Sequence, residues 1–238
     1  HTLESGDDNA FSLEKYGKTT MEFLETTGVL TNRFIAVHCV QMSESDFNIF
    51  KKHELSVAHC PMSNMILGSG FAPVPKMIND GLNVGLGADG SASSDTQNYL
   101  EQLKAASLVH KGNLKDPTVM PAELVIEMAT INGAKALGMD DKIGSIEVGK
   151  LADCFIFTPH TLSSCPVADP IAAIVYSSEP DNIETVIVGG EIVKDNNVLT
   201  KWSKDDAIND LVERAKDLRE TVSSEEPKWG QAKIIFIR

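Results

Sequence analysis

Three stretches share one pattern: Arg33-Phe-Ile-Ala-Val-His38, Leu55-Ser-Val-Ala-His59 and Asn83-Val-Gly-Leu-Gly-Ala-Asp89. Each is a short, largely apolar run that stops at a side chain able to bind a metal or carry a proton. Such runs read as buried strands. Helical patterns alternate with them. Phe11 to Thr27 carries Phe11, Tyr16, Met21, Phe23 and Leu24, and Gly28 can cap it. Ser43 with Asp46 three residues on forms a weak capping box before Phe47, Ile49 and Phe50. Val74 to Asp80 reads as a short helix closed by Gly81, and Thr96 to Lys111 as a longer one built on Leu100, Leu103 and Leu108. Strand and helix in alternation build right-handed βα units on a parallel sheet. His38, His59 and Asp89, at three successive strand ends, then share one rim. That rim carries the catalytic residues of a βα barrel and the ligand of an open doubly wound sheet. The one G-x-G-x-x-G, Gly85-Leu-Gly-Ala-Asp-Gly90, begins inside a strand-like run rather than after it, and no Walker-type loop is present, which argues against nucleotide binding on a phosphate-cradling loop.

Farther along, Pro121 to Leu137 reads as one long helix with Pro near its start and Gly138 at its end. After Gly144 the pattern turns to short β segments: Ile146-Glu-Val-Gly, Cys154-Phe-Ile-Phe and Thr185-Val-Ile-Val-Gly-Gly-Glu-Ile-Val, with a turn expected at Asp195-Asn-Asn. Ser203 to Val222 is a charged amphipathic helix, followed by a Ser/Glu/Pro linker and a final Ile234-Ile-Phe-Ile run. The division expected is residues 1–142, 143–198 and 199–238.

The 238 residues carry a net charge of −13, which argues against unaided binding of nucleic acid or of an anionic membrane. No run approaches the roughly 18 apolar residues of a membrane span, and no basic-then-apolar leader opens the chain. Four cysteines, Cys39, Cys60, Cys154 and Cys165, show no C-x-x-C pairing, so reduced thiols in a cytoplasmic protein are expected.

Four groups carry the candidate chemistry: His1 and Glu4 three residues apart, His38, and Asp89 inside Gly87-Ala-Asp89-Gly90. Imidazoles and a carboxylate are ligands that zinc and ferrous iron accept in catalytic sites. Spacing alone keeps the plainer reading ahead, since a lone strand-end histidine is more often a hydrogen-bonded core residue and Asp-Gly more often a turn. His53 reads as a solvated helix end, and His110 and His160 as surface or loop residues. Met42, Met62, Met65 and Met77 read as core gap-fillers.

Several motifs run in a fixed order: His1-Thr-Leu-Glu4-Ser, Val37-His38-Cys39, Val57-Ala-His59-Cys60-Pro61-Met-Ser63-Asn64 and Gly85-Leu-Gly-Ala-Asp89-Gly-Ser91-Ala-Ser93. Ala129-Thr-Ile-Asn-Gly-Ala-Lys-Ala-Leu-Gly138 and Ile143-Gly-Ser-Ile-Glu-Val-Gly-Lys-Leu-Ala-Asp153 follow. In this order the chain resembles the amidohydrolase superfamily. The similar branch holds cytosine-deaminase-like enzymes, triazine hydrolases and the methylthioadenosine/S-adenosylhomocysteine, guanine and 8-oxoguanine deaminases. The resemblance implies an α/β fold: the C-terminal part of a (β/α)8 TIM barrel, strands five to eight, then part of a small β-sandwich and a C-terminal helix. It implies His1 and Asp89 as metal ligands, Glu4 as proton shuttle, His38 as the group that holds the attacking oxygen, and Asp89 as base. His59, Ser63, Asn64, Ser91 and Ser93 would border the substrate. One divalent ion is implied, zinc in the first place and iron in the second.

The activity implied is hydrolytic deamination of an aminated nitrogen heterocycle (purine, pterin or triazine) by metal-activated water. The other zinc-deaminase design is excluded, because its H-x-E…P-C-x-x-C signature is missing. Two alternatives stand beside it: chlorohydrolase chemistry at the same site, and a non-catalytic scaffold or inactive fragment. The family's H-x-H pair, its first four strands and the N-terminal part of the sandwich have no counterpart here, so the chain is expected to be the C-terminal portion of the enzyme. Open strand edges then call for a partner: the N-terminal half, or further copies in a homo-oligomer.

Overall fold

Capping chemistry sets the first helices. The structure, a computed structural model, describes residues 1–224. Helix α1 (Gly6–Tyr16) ends on Gly17 in the left-handed region, and α2 (Thr20–Thr27) restarts behind a reciprocal Thr19–Glu22 box before closing on Gly28. The single helix expected over Phe11 to Thr27 is therefore two. Strand β1 (Ile35–Val37) leads to α3 (Glu44–His53), which opens on the expected Ser43–Asp46 box. Strand β2 (Ser56–His59) passes into α4 (Pro61–Ile66), a short helix that the sequence reading did not expect. Then come α5 (Val74–Asn79), β3 (Asn83–Leu86), α6 (Ser91–Ser94) and α7 (Tyr99–Leu114).

The expected helix from Pro121 to Leu137 is also broken, into α8 (Ala122–Ala129) and α9 (Ile131–Ala136), at Thr130. The Thr130 hydroxyl donates back to the Ile126 carbonyl at 2.6 Å. Beyond the break, Asn132 donates to the Val84 carbonyl and receives Asn83 on its own carbonyl, which lays α9 against β3. A Cβ on Gly85 would sit 3.2 Å from the Gly133 Cα, so this contact is backbone on backbone.

Strands β1, β2 and β3 form a parallel sheet in chain order. Thr2 adds a parallel bridge to His38 at its edge. Ala36, Val57 and Val84 are fully buried at its centre, in one apolar cluster with Phe50, Met77, Val125 and Met128. Each large apolar side chain buried this way contributes about 1.5–3 kcal/mol.

A second, antiparallel sheet holds β4 (Cys154–Phe157), β5 (Ile183–Val188), β6 (Glu191–Asp195) and β7 (Val198–Leu199) in that order. Asn196 and Asn197, both with positive φ, make the expected turn between β6 and β7. Ile146-Glu-Val-Gly is not a strand. Gly144 before it and its own last residue, Gly149, have positive φ, and Ile146 and Val148 stand in solvent. Between β4 and β5, α10 (Pro170–Tyr176) starts from an Asp169 cap and packs on α7 and α8, where the Tyr176 hydroxyl meets Ser107 at 2.7 Å. Helix α11 (Lys204–Ser224) follows as expected. The Ile234-Ile-Phe-Ile run lies outside the described residues. No described helix is long and apolar enough to cross a membrane.

Candidate metal centre

The strand ends carry strained backbone. His38, Cys39, Leu3 and Asp89 all adopt positive φ, from 51° to 77°. Left-handed backbone at a non-glycine residue costs on the order of 1 kcal/mol. Glu54, Asp95 and Lys115 share that conformation but end helices, which accounts for them. The four at the strand ends have no such cause, and strain of this kind concentrates at functional sites.

Backbone bonds fix the positions. The Thr2 amide donates to Val37, that of Cys39 to Thr2, and that of His38 to Ala58, each at 3.0–3.1 Å. These bonds bring His1 beside His38. Nε2 of His38 lies 2.9 Å from Nδ1 of His1, 3.4 Å from Oε2 of Glu4 and 4.0 Å from Oδ2 of Asp89. One ligand atom each from His1, His38 and Asp89 falls within 4.8 Å of the others. Glu4 stands at the edge of this set, 3.9 Å from Nδ1 of His1, with its other oxygen accepting from the Ser69 hydroxyl at 3.3 Å.

The side chain of His38 is fully buried, that of Asp89 is 10% exposed and that of His1 is 66% exposed. On the far side of the His38 ring, Nδ1 faces the Asn64 carboxamide oxygen at 2.8 Å. An oxygen acceptor there draws the ring proton to Nδ1 and leaves the Nε2 lone pair turned to the cluster. The Ser63 hydroxyl donates to Oδ2 of Asp89 at 2.6 Å and the Gly90 amide to Oδ1 at 2.8 Å. The Ser63 bond, more than any other cause, holds the Asp89 carboxyl below its ordinary pKa; burial works in the other direction. Two imidazoles and an ionised carboxylate, converging from separate strand ends, fit a divalent ion.

The remaining expected residues fall outside this cluster. Ser63 and Asn64 are buried and turned onto Asp89 and His38. Ser91 is exposed and Ser93 half-buried, on the short helix α6 after Asp89. His59 is 2% exposed, with Nε2 3.2 Å from Nε2 of His110. That contact corrects the surface reading of His110, which is 1% exposed. Its place on α7, four residues past Ala106 and seven past Leu103, is the sequence signal that could have found it. Burial drives the pKa of His59 well below its ordinary value, with His110 and His38 adding to the shift, and burial sets His110 at about 4. Both rings are therefore neutral. Burial also pushes the Cys60 thiol up to about 12, with help from Asp89 and Glu4. His53 is half-buried and bonded to Glu25, and His160 is exposed.

A cavity of about 400 Å³ opens beside His1, lined also by Asp7, Asp8, Phe11, Tyr16 and Phe23. An apolar cleft of about 500 Å³ between α7, α8 and the second sheet contains none of the cluster residues.

Known proteins share this arrangement of chain. A 5-methylthioadenosine/S-adenosylhomocysteine deaminase of Acetivibrio thermocellus is 41% identical over 199 residues, which is 84% of this chain and 46% of that protein. A 5'-deoxyadenosine deaminase of Methanosarcina acetivorans is 38% identical over 218 residues, 92% of this chain and 50% of that one. An adenosine deaminase from Xanthomonas campestris, solved with bound zinc, superposes with a TM-score of 0.87 at 30% identity, covering 94% of this chain and 50% of that one. An atrazine chlorohydrolase from Arthrobacter aurescens, complexed with zinc, superposes at 0.82 with 27% identity, over 88% and 46% of the two chains. The chain spans about half the length of the curated relatives it matches. The sequence profile of the amidohydrolase family matches residues 1–193, and with that match across the whole strand-end cluster the chain belongs to the amidohydrolase family.

Proposed function

We propose that this chain supplies the C-terminal half of the catalytic centre of a metal-dependent hydrolase that deaminates the adenine ring of a 5'-modified adenosine. The observation that carries the reading is the convergence of His1, His38 and Asp89 within 4.8 Å, with Glu4 alongside. The names of the relatives narrow the substrate from a general aminated heterocycle to an adenosine. In this reading the parallel sheet and its Thr2 bridge are barrel strands five to eight, and the antiparallel sheet is the chain's share of the β-sandwich. The division at residues 142 and 198 belongs to the same proposal.

His1 and Asp89 would hold a divalent ion, zinc first, with Nε2 of His38 turned to the same point. When bound, such an ion lowers the pKa of water towards neutrality. The chain's own groups do the rest. Asp89, kept ionised by Ser63, takes a proton from the attacking water. Nε2 of His38 orients the attacking oxygen. Glu4, a quarter exposed and facing both imidazoles, delivers a proton to the ring nitrogen next to the amine-bearing carbon. Water adds to that carbon, the amine takes the proton held by Asp89, the C–N bond breaks and ammonia leaves, and the hydroxyl proton of the adduct returns to Glu4 as the ring carbonyl forms. Ser91 and Ser93, just beyond Asp89, are placed to meet the substrate.

The test is turnover of the intact enzyme on 5'-methylthioadenosine, S-adenosylhomocysteine and a chlorotriazine. Stoichiometric ammonia from the adenosines supports the reading. Chloride release with no ammonia would replace it with dehalogenation, and no turnover of any would leave the scaffold reading standing.

A further inference from the structure

Ser63 and Asn64 are neighbours in sequence, yet they bond to side chains from two different strand ends. Pro61 starts α4 directly after β2, so the first turn of that helix lies between the end of β1 and the end of β3. From that turn Ser63 reaches Asp89 at 2.6 Å and Asn64 reaches His38 at 2.8 Å. The Asn64 carbonyl also accepts the Ser69 amide at 2.9 Å, and the Ser69 hydroxyl meets Glu4. Two of the four cluster groups are thus held by one buried turn, and Glu4 by the half-buried Ser69 just beyond the helix. Asn64 is 1% exposed, and its carboxamide nitrogen has no hydrogen-bond partner among the described residues. A carboxamide aimed at substrate would have its polar atoms turned to the open site. This one spends its oxygen on the back of an imidazole.

We propose that Asn64 is a positioning residue that selects the tautomer of His38, keeping the proton on Nδ1 so that Nε2 faces His1, Glu4 and Asp89 with a free lone pair. This deepens the hydrolase reading and rests on it only for the consequence in catalysis; the tautomer itself is a property of this chain. The alternative carboxamide orientation would put a donor against Nδ1 and move the ring proton to Nε2, directed into the cluster. There no lone pair would remain to meet an ion or to accept a hydrogen bond from the attacking water. The structural cost of the chosen state is the unpartnered carboxamide nitrogen. Partners on the far side of a ligating histidine typically change metal affinity or activity by about 10–100-fold.

The experiment is a long-range nitrogen–proton correlation spectrum of the His38 ring, recorded on the protein after dialysis against a zinc chelator. Chelation matters, because an ion on Nε2 would itself force the proton to Nδ1. The unaltered protein should show the Nδ1–H form. Asn64→Asp keeps an oxygen acceptor and should keep that form. Asn64→Leu removes the acceptor and should shift the ring to Nε2–H. In the intact enzyme, Asn64→Leu should lower kcat about 10–100-fold with KM little changed, and Asn64→Asp should recover most of it. An Nε2–H ring in the unaltered protein overturns the proposal even if neither variant folds. A raised KM with unchanged kcat and an unchanged tautomer returns Asn64 to substrate contact, and also overturns it. The expected tautomers in a protein without deaminase activity would uphold the positioning role and sink the hydrolase reading instead.

Discussion

Asp89 owes its charge state to a neighbour's hydroxyl. The Ser63 bond pulls its pKa down while burial pushes it up, and the bond wins. Ser63→Ala removes the donor to the ionised form, so the pKa of Asp89 rises. The acid limb of the kcat/KM profile should then move to higher pH, and a limb that stays where it was would contradict the role given to Ser63. Asp89→Asn removes both a ligand and a proton acceptor; it should cost at least about 100-fold in kcat/KM while leaving the melting temperature near that of the parent. His38 and Asp89 were legible in the sequence because each closes a strand-like run and strand ends share a rim, whereas His1 and Glu4 were legible only through the ordered motifs of the family the chain resembles. The contacts of Ser63 and Asn64 were not legible. They depend on α4 beginning at Pro61 and on which way its first turn faces, and a six-residue helix leaves no periodic signal. His110 was misjudged because Lys111 beside it reads as surface, whereas the ring lies on the face of α7 that Leu103 and Ala106 bury.

Close backbone approach governs the elements. Gly144 has φ +89°, and a Cβ there would lie 2.7 Å from the Ala134 Cβ and 3.0 Å from the Ile131 Cα. Gly144→Ala combines left-handed strain with a clash against α9, and should destabilise by about 2–4 kcal/mol. Gly112 is the control: it sits inside α7 with open space where a Cβ would go. Gly112→Ala should stabilise by about 0.5–1 kcal/mol through helix propensity. Urea unfolding of the two variants checks both signs, and equal effects would show that the Gly144 contact does not hold α9. The strands of the parallel sheet were readable to within a residue or two, since a buried run leaves few alternatives. The helices were readable in number of turns but not in continuity. The break at Thr130 follows from bonds that Asn132 and Asn83 make across the fold, and the break at Gly17 was signalled by the Thr19–Glu22 box that the hydrophobic pattern overrode.

At the scale of the whole molecule, a neutral His59–His110 pair in the core couples stability to pH. His110 titrates at about 4 in the folded chain, against an ordinary 6.5, and His59 is lowered as well. The unfolded chain therefore binds more protons between these values. Stability is complete above about pH 6.5 and falls as the pH drops towards 4, with His110 alone accounting for up to about 3 kcal/mol. His110→Gln keeps a hydrogen-bonding group without a titrating ring, so its unfolding free energy should vary less between about pH 7 and 4.5 than that of the parent. An unchanged slope would show that the pair does not titrate with folding. The alternation of helices with a parallel sheet in chain order was legible from the strand-end pattern, because βα units stack in sequence order. The packing of α10 against α7 and α8 was not, since it returns a segment beyond β4 to the helices of the first sheet. All of the proposed chemistry depends on one property of the strand-end cluster, that it holds an ion. Elemental mass spectrometry of the purified protein, alongside Asp89→Ala prepared identically, measures this without a substrate. About one zinc or iron per chain, lost or much reduced in Asp89→Ala, is the expected result. A metal-free protein, or a metal content that Asp89→Ala leaves unchanged, would contradict the assignment of His1 and Asp89 as its ligands.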